Sequence, residues 1–298
     1  MEYSIKSVEE KRDGEEGFFF DVGSLYECLS QLKDKRKAKG KRYELVEVLI
    51  IFILAKLAGE DKTSGIAHWA ALRAKELTEA LKIKRKQIPC RTTFVRVLGK
   101  AIDLEELAAT VGQFLSKSVG EEVLINIDGK VMKGTIPAGE TQGVHLLAAY
   151  LPEEGIVLMQ LEVGSKENEI VAAPKLLKCL DLRGKIVTGD AMFAQRKLSV
   201  QIVMAGGHYI WTVKGNQPTV LDDIVRLFEE APVSIPGASP MHNDFATACT
   251  VEKKRGRLER RTITVSSMLA DYTDWPHFQG GALDAPHIFP FHRLKADS

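Results

Sequence analysis

Two apolar runs in this chain each break on an aspartate: Val123-Leu124-Ile125-Asn126-Ile127-Asp128-Gly129 and Lys185-Ile186-Val187-Thr188-Gly189-Asp190-Ala191. β-rich, mostly apolar segments of this length read as buried strands, and a carboxylate in one must be paired, hydrogen-bonded or metal-bound to be tolerated. If the two strands are neighbours, the carboxylates meet at their ends and can share a hard divalent cation, the arrangement used in phosphoryl-transfer nucleases. Gly129 and Gly189, one beside each aspartate, predict a backbone that turns sharply there. An aspartate that only caps a following helix gives the same local pattern, so the two runs alone leave both readings open.

The rest of the composition narrows the setting. The 298 residues suffice for one large domain or two smaller ones, and 45% hydrophobic with 27% charged residues is the balance of an ordinary globular protein. The formal net charge is only +1, yet bases crowd into Lys33–Arg42, Lys82–Arg96 and Lys253–Arg261, while acids gather in Glu2–Glu16, Glu105–Glu122 and Glu153–Glu169. Any one basic run reads as a solvated face; three point to local contact with a polyanion. Cys28, Cys90, Cys179 and Cys249 are too scattered for a zinc site or a disulfide framework, so a reducing, cytoplasmic compartment is expected. The N-terminus is polar and acidic, unlike a signal peptide. The longest apolar stretch, Val46–Leu57, carries Glu47 and Lys56 and is too short to span a bilayer, so no membrane partner is expected.

Along the chain, residues 1–20 read as a flexible arm. Helical spacing then prevails over 21–118: Asp21 as N-cap before Leu25, Leu29 and Leu32, a strongly apolar helix over Tyr43–Ala58 stopped by Gly59, a helix from Thr63 to Leu77, and two more over Thr92–Leu98 and Asp103–Leu115. After Gly120 strands are predicted at 123–128, 144–151 and 156–163, then a helix near Glu169–Leu180, a strand at 185–189, a helix near Ala194–Ala205, a strand His208–Val213 and a helix Val220–Glu230. Two strands, Phe245–Glu252 and Arg257–Ser266, flank a basic turn. The expected fold is mixed α/β: an all-helical N-terminal domain at 21–118, a ribonuclease-H-like mixed sheet flanked by helices at 119–275, and a divergent tail at 276–298. There is no P-loop or dinucleotide fingerprint, which argues against a nucleotide cofactor.

Five segments in this order resemble one family: Asp128-Gly129-Lys130 with Lys133-Gly134, Lys166-Glu167-Asn168-Glu169-Ile170, Asp190-Ala191-Met192 with Gln195, Lys214-Gly215-Asn216-Gln217, and Gly256-Arg257-Leu258-Glu259-Arg260. Over roughly residues 20–275 the chain resembles the bacterial insertion-sequence DDE transposases of the H-repeat-associated type. The resemblance implies a DNA-associated helical module, a ribonuclease-H-like catalytic domain, Asp128 and Asp190 as the first two metal-binding carboxylates, Mg²⁺ (or Mn²⁺) as cofactor, and double-stranded DNA at element ends as partner. It also implies a homodimer assembled on that DNA, working at the bacterial nucleoid. Two ions about 3.5–4 Å apart activate the attacking oxygen and stabilise the leaving one in such sites.

The family's third acid is expected in a His-Trp-x-Ile-Glu-Asn motif on a late helix, and this sequence has no such motif. The tail from Gln279 to Ser298 also stops resembling the family, so the chain reads as a truncated member with impaired catalysis. Glu259 is the one replacement on offer, although a glutamate flanked by arginines is more often a surface ion pair. The alternatives are a non-catalytic DNA-binding remnant that regulates an intact transposase, or another ribonuclease-H-like nuclease. DNA contacts are expected from Lys130, Lys133, Lys214, Asn216, Gln217, Arg255 and Arg257. Arg91 and Arg96, on a recognition-type helix, join them. Against these stand ordinary roles: solvated lysines, Asn216 as the cap of the next helix, an ordinary amphipathic helix at 91–96. Asn168 and Glu169 read as a helix cap, with Glu169 assisting a metal as the sharper alternative. His145, Trp69 and Trp211 read as packed core residues.

Overall fold

The computed structural model describes residues 21–132, 143–164, 167–229, 244–254, 257–284 and 287–291. The arm at 1–20, Lys133 and Arg255 lie outside the described residues, as do the side chains of Arg257 and Glu259.

The first third is helical, as its apolar periodicity predicts. Helix α1 (Val22–Ser30) starts on Asp21, whose carboxylate accepts the Ser24 N–H at 2.6 Å. Helix α2 (Leu45–Leu57) is apolar on nearly every side and forms the centre of this unit, with Leu49, Ile50 and Ile51 fully buried. It ends at Gly59, whose φ of +90° only glycine adopts without strain. The single helix expected over Thr63–Leu77 is instead two, α3 (Thr63–Leu72) and α4 (Ala74–Ala80), broken at Arg73 (φ −113°, ψ 24°). The Arg73 guanidinium folds back over the Trp69 ring, 4.7 Å from its centroid. Helix α5 (Arg91–Arg96) runs into a π-helical segment, Val97–Ala101, and α6 (Leu104–Ser118) begins on Asp103, which accepts from the Glu105 and Glu106 N–H groups.

Helix α6 belongs to both halves of the molecule. Its Phe114 sits in the helical core, while an added Cβ at Gly112 would stand 3.2 Å from Met159 and 3.3 Å from the Leu158 carbonyl. The buried Ser116 hydroxyl accepts the Asp181 N–H at 2.8 Å. The helical unit therefore docks on the sheet through α6 rather than through a linker.

The second part is a mixed sheet. Strands β1 (Leu124–Met132), β2 (Val144–Leu151) and β3 (Ile156–Val163) form an antiparallel meander. Helix α7 (Glu169–Lys178) leads into β4 (Ile186–Gly189), and α8 (Arg196–Met204) leads into β5 (His208–Trp211). Strand β4 pairs in parallel with both β1 and β5, giving the order β3-β2-β1-β4-β5 with β2 alone reversed. This is the ribonuclease-H-like arrangement, as expected. One face carries Ile125, Ile127, Val187, Tyr209 and Trp211, all essentially inaccessible, against α7 and α8. The alternate residues, including Asn126, Thr188 and Ile210, are only half-buried on the other face.

Helix α9 (Pro218–Glu229) precedes an antiparallel extension: β6 (Ala246–Lys254), β7 (Arg257–Ser266), β8 (Gly280–Asp284) and β9 (His287–Phe291). These complete one nine-stranded sheet through a single β5–β9 pair, Ile210 with Phe291. The segment 276–298, read from sequence as a divergent tail, thus supplies two strands; backbone pairing requires no apolar alternation in the side chains. Just ahead of them Trp275 and Phe278 are buried in the sheet core, and the Tyr209 hydroxyl donates to the Pro276 carbonyl at 2.7 Å.

Candidate active site

Strand register brings the two aspartates together. The last β1–β4 pair is Ile127 with Gly189, and Asp128 and Asp190 come next on each strand. Asp190 keeps an extended backbone (φ −65°, ψ 165°), so the register carries on to it. Neighbouring strands lie about 4.8 Å apart, and matched positions of parallel strands point to the same face. Asp128 and Asp190, both exposed, therefore follow matched positions on the face opposite the helix-covered core.

Their surroundings are cationic. The Lys214 ammonium, on the turn after β5, lies 3.3 Å from Asp190 Oδ1, with both side chains more than half exposed. Lys130, two residues beyond Asp128 on β1, is exposed and shares its face. Asp190 also accepts the N–H of Ala191 at 2.7 Å and opens a short 3₁₀ turn, Ala191–Phe193. Two adjacent, solvent-reaching carboxylates are a donor set that suits Mg²⁺, which is commonly held by one or two carboxylates with waters and substrate phosphates. Among the described residues no group of three His, Cys, Asp or Glu side chains comes together.

The glycines beside the aspartates do not turn the chain. Strand β1 runs straight through Gly129 to Met132, still paired with β2, and neither Gly129 nor Gly189 has a positive φ. Both are glycine because something occupies the space of a side chain. A Cβ on Gly129 would lie 2.0 Å from Glu169 Oε1, and one on Gly189 would lie 2.8 Å from Ile127 and Phe193 side-chain carbons. Glu169, at the start of α7 behind the cap Asn168, is largely buried and pairs with His145 Nε2 at 2.6 Å. His145 is thus a partner of a carboxylate, beyond the packing role expected from its strand-like setting. Gly129→Ala should expel Glu169 from this pair and destabilise the fold by about 1–3 kcal/mol. Urea unfolding checks this, and adding Glu169→Ala should recover part of the loss, since the two changes share one space.

Asn216 and Gln217 are not idle polar groups at a strand end. Asn216 Nδ2 donates to the Ala191 carbonyl at 2.7 Å and Gln217 Nε2 to the Ala194 carbonyl at 2.8 Å. Neither the expected DNA contact nor the alternative helix cap foresaw these bonds, which join positions more than twenty residues apart. Glu259 is placed by its backbone alone. It lies on β7, four strands from β4 in the sheet order, and pairs with Glu252 of β6. Trp211 is a core aromatic as expected, wholly buried and donating to Ser199 Oγ at 2.9 Å.

Two of the basic runs meet. Lys84 lies 3.5 Å from Glu44, and the Tyr43 hydroxyl donates to the Ile88 carbonyl, joining the 33–44 turn to the 82–88 loop. Arg36 is spent internally, forked onto Asp34, but Lys37, Lys39, Arg42, Arg85 and Lys86 remain exposed. Arg91 and Arg96 are exposed on α5, which is only six residues long.

The described residues thus join a helical unit to a ribonuclease-H-like sheet with an aspartate at the end of each of two adjoining parallel strands. The family description "Transposase DDE domain" matches residues 120–267, and "DDE_Tnp_1-associated" matches 26–115. The chain belongs to the DDE transposase family, in its H-repeat-associated, insertion-sequence group. It is 32% identical over 248 residues to a Xanthobacter autotrophicus protein described as uncharacterized in the dhlA 3′ region, covering 81% of each chain. It is 29% identical to the putative transposase YncI of Escherichia coli, over 93% of this chain and 69% of that one. The H repeat-associated putative transposase YbfD of Escherichia coli is 28% identical, over 85% of this chain and 99% of its own. A solved piggyBac transposase synaptic complex with hairpin DNA aligns at a TM-score of 0.32 and 13% identity, over 94% of this chain and 60% of that one, too loosely to bear on function.

Proposed function

We propose that this transposase-family chain binds duplex DNA at the ends of a mobile element and holds a divalent cation, Mg²⁺ or Mn²⁺, between Asp128 and Asp190 to cut and rejoin strands. The observation that carries this is the register: the two aspartates follow the last β1–β4 pair on the same open face. A bound ion would polarise the phosphoryl group and lower the pKa of an attacking water. The chain's own residues do the rest. Lys130 and Lys214 flank the acid pair and draw a phosphate towards it. The exposed bases of the joined 33–44 and 82–88 segments supply salt-dependent, largely sequence-independent DNA affinity, and Arg91 and Arg96 extend that surface. Among the described residues no helix is long and apolar enough to cross a membrane. By family resemblance the protein acts at the nucleoid, as a homodimer on DNA.

With two carboxylates and no third ligand gathered there among the described residues, strand cleavage should be slow. That same observation favours a second reading, a DNA-binding family member without turnover. The test offers the purified chain labelled duplexes carrying element ends, random duplexes and RNA–DNA hybrids, with Mg²⁺ or EDTA. Slow Mg²⁺-dependent nicking confined to element ends is expected. Retention of DNA with no nicking would select the second reading, and preferential cleavage of hybrid would replace transposition with another nuclease activity.

A further inference from the structure

We infer that Asn216 and Gln217 are positioning residues that fix Asp190, rather than groups that read DNA; the inference rests on the proposed cation site. Asp190 stands at the start of a turn, 191–195, whose carbonyls lie outside the sheet ladder and whose own N–H groups satisfy them only in part. Three side-chain carboxamides supply further donors. Asn216 Nδ2 donates to the Ala191 carbonyl at 2.7 Å, Gln217 Nε2 to the Ala194 carbonyl at 2.8 Å, and Gln195 Nε2 to the Met192 carbonyl at 3.1 Å.

The Asn216 amide is held at both ends, because its Oδ1 accepts the Lys214 N–H at 3.2 Å. That contact also fixes which way the amide faces. The Gln217 N–H closes its own turn onto the Lys214 carbonyl at 3.0 Å. The turn after β5 is thereby fastened to the turn after the adjacent parallel strand β4, and Asp190 sits where they join. An acidic ligand on an unsupported turn samples many positions; one whose turn is pinned by two amides from the next strand is preorganised for a cation. The same turn carries Lys214, so the fastening also sets the distance between the lysine and the carboxylate.

The test compares the full chain with Asn216→Ala/Gln217→Ala and with the milder Gln217→Ala alone, by three measurements. Amide hydrogen exchange at Phe193 and Ala194, whose N–H groups close the turn on the Asp190 and Ala191 carbonyls, should quicken at least tenfold in the double variant. The Mn²⁺ dissociation constant from calorimetry should rise roughly 10- to 100-fold, the usual cost of losing groups that orient a metal ligand. Retention of random duplex DNA in EDTA should not change. Unaltered exchange and Mn²⁺ affinity with weakened DNA retention would overturn the inference and return both amides to DNA contact. If the double variant does not fold, Gln217→Ala decides on the exchange at Ala194 and the Mn²⁺ constant. Wild-type protein that binds no Mn²⁺ would refute the cation site itself, whereas the exchange rates still judge whether the amides hold the turn.

Discussion

Asp190→Ala and Asp128→Ala should each weaken Mn²⁺ binding by at least about 100-fold and bring any cation-dependent nicking to background, while DNA retention in EDTA stays at the wild-type level. Losing a residue that merely orients a metal ligand already costs roughly 10- to 100-fold. Removing a ligand itself from a site that offers two should cost more. Neither carboxylate supports the fold strongly: both side chains reach solvent on the open face, and Asp190 makes its bonds to its own turn and to the exposed Lys214. The effect is therefore separable from unfolding. Calorimetry with Mn²⁺ and a filter-retention assay at two salt concentrations measure both effects. Loss of DNA retention in step with metal binding would mean that the aspartates shape the DNA surface instead.

Trp211→Ala should cost about 3–5 kcal/mol of stability, the range for deleting a large buried aromatic. Trp211 is wholly buried at the end of β5, stacks on Tyr209 with centroids 5.9 Å apart, and donates to the buried Ser199 hydroxyl at 2.9 Å. The last β4–β5 pair is Gly189 with Trp211, so a cavity here loosens the strand end beside Asp190 and the turn that bears Lys214, Asn216 and Gln217. Guanidinium unfolding should show the loss as a lower midpoint, with Mn²⁺ affinity falling in parallel. A shift of the midpoint below about 1 kcal/mol would mean that this core relaxes to fill the space, contrary to the tight packing inferred here.

Much of this was legible in the residues because it depends on local periodicity. Strands β2, β3 and β7 fall on their expected bounds, since alternation and the Pro152–Gly155 turn fix them, with Gly155 at φ +66°. The Asp21 and Asp103 caps follow from side-chain chemistry within three residues. The two apolar runs were legible as strands β1 and β4, whose shared ladder ends one residue before each aspartate. What escaped depends on tertiary contact. Gly129 looks like a turn residue until Glu169 is found in the space beside it. Asn216 and Gln217 look like DNA-contacting or capping amides until the 191–195 turn is found across from them. Glu259 has the right chemistry for a third acid, and only the strand order shows that its backbone lies four strands from β4. The break at Arg73 was hidden for a similar reason, because nothing in the local spacing interrupts the helix.

The whole account turns on one cation being shared by the side chains at 128 and 190. Crystals grown with Mn²⁺ and measured at the manganese edge test it directly. An anomalous peak between the two carboxylates, about 2.0–2.3 Å from an oxygen of each, is the expected result. Manganese bound to one of them only, or carboxylates turned to opposite sides of the sheet, would contradict it.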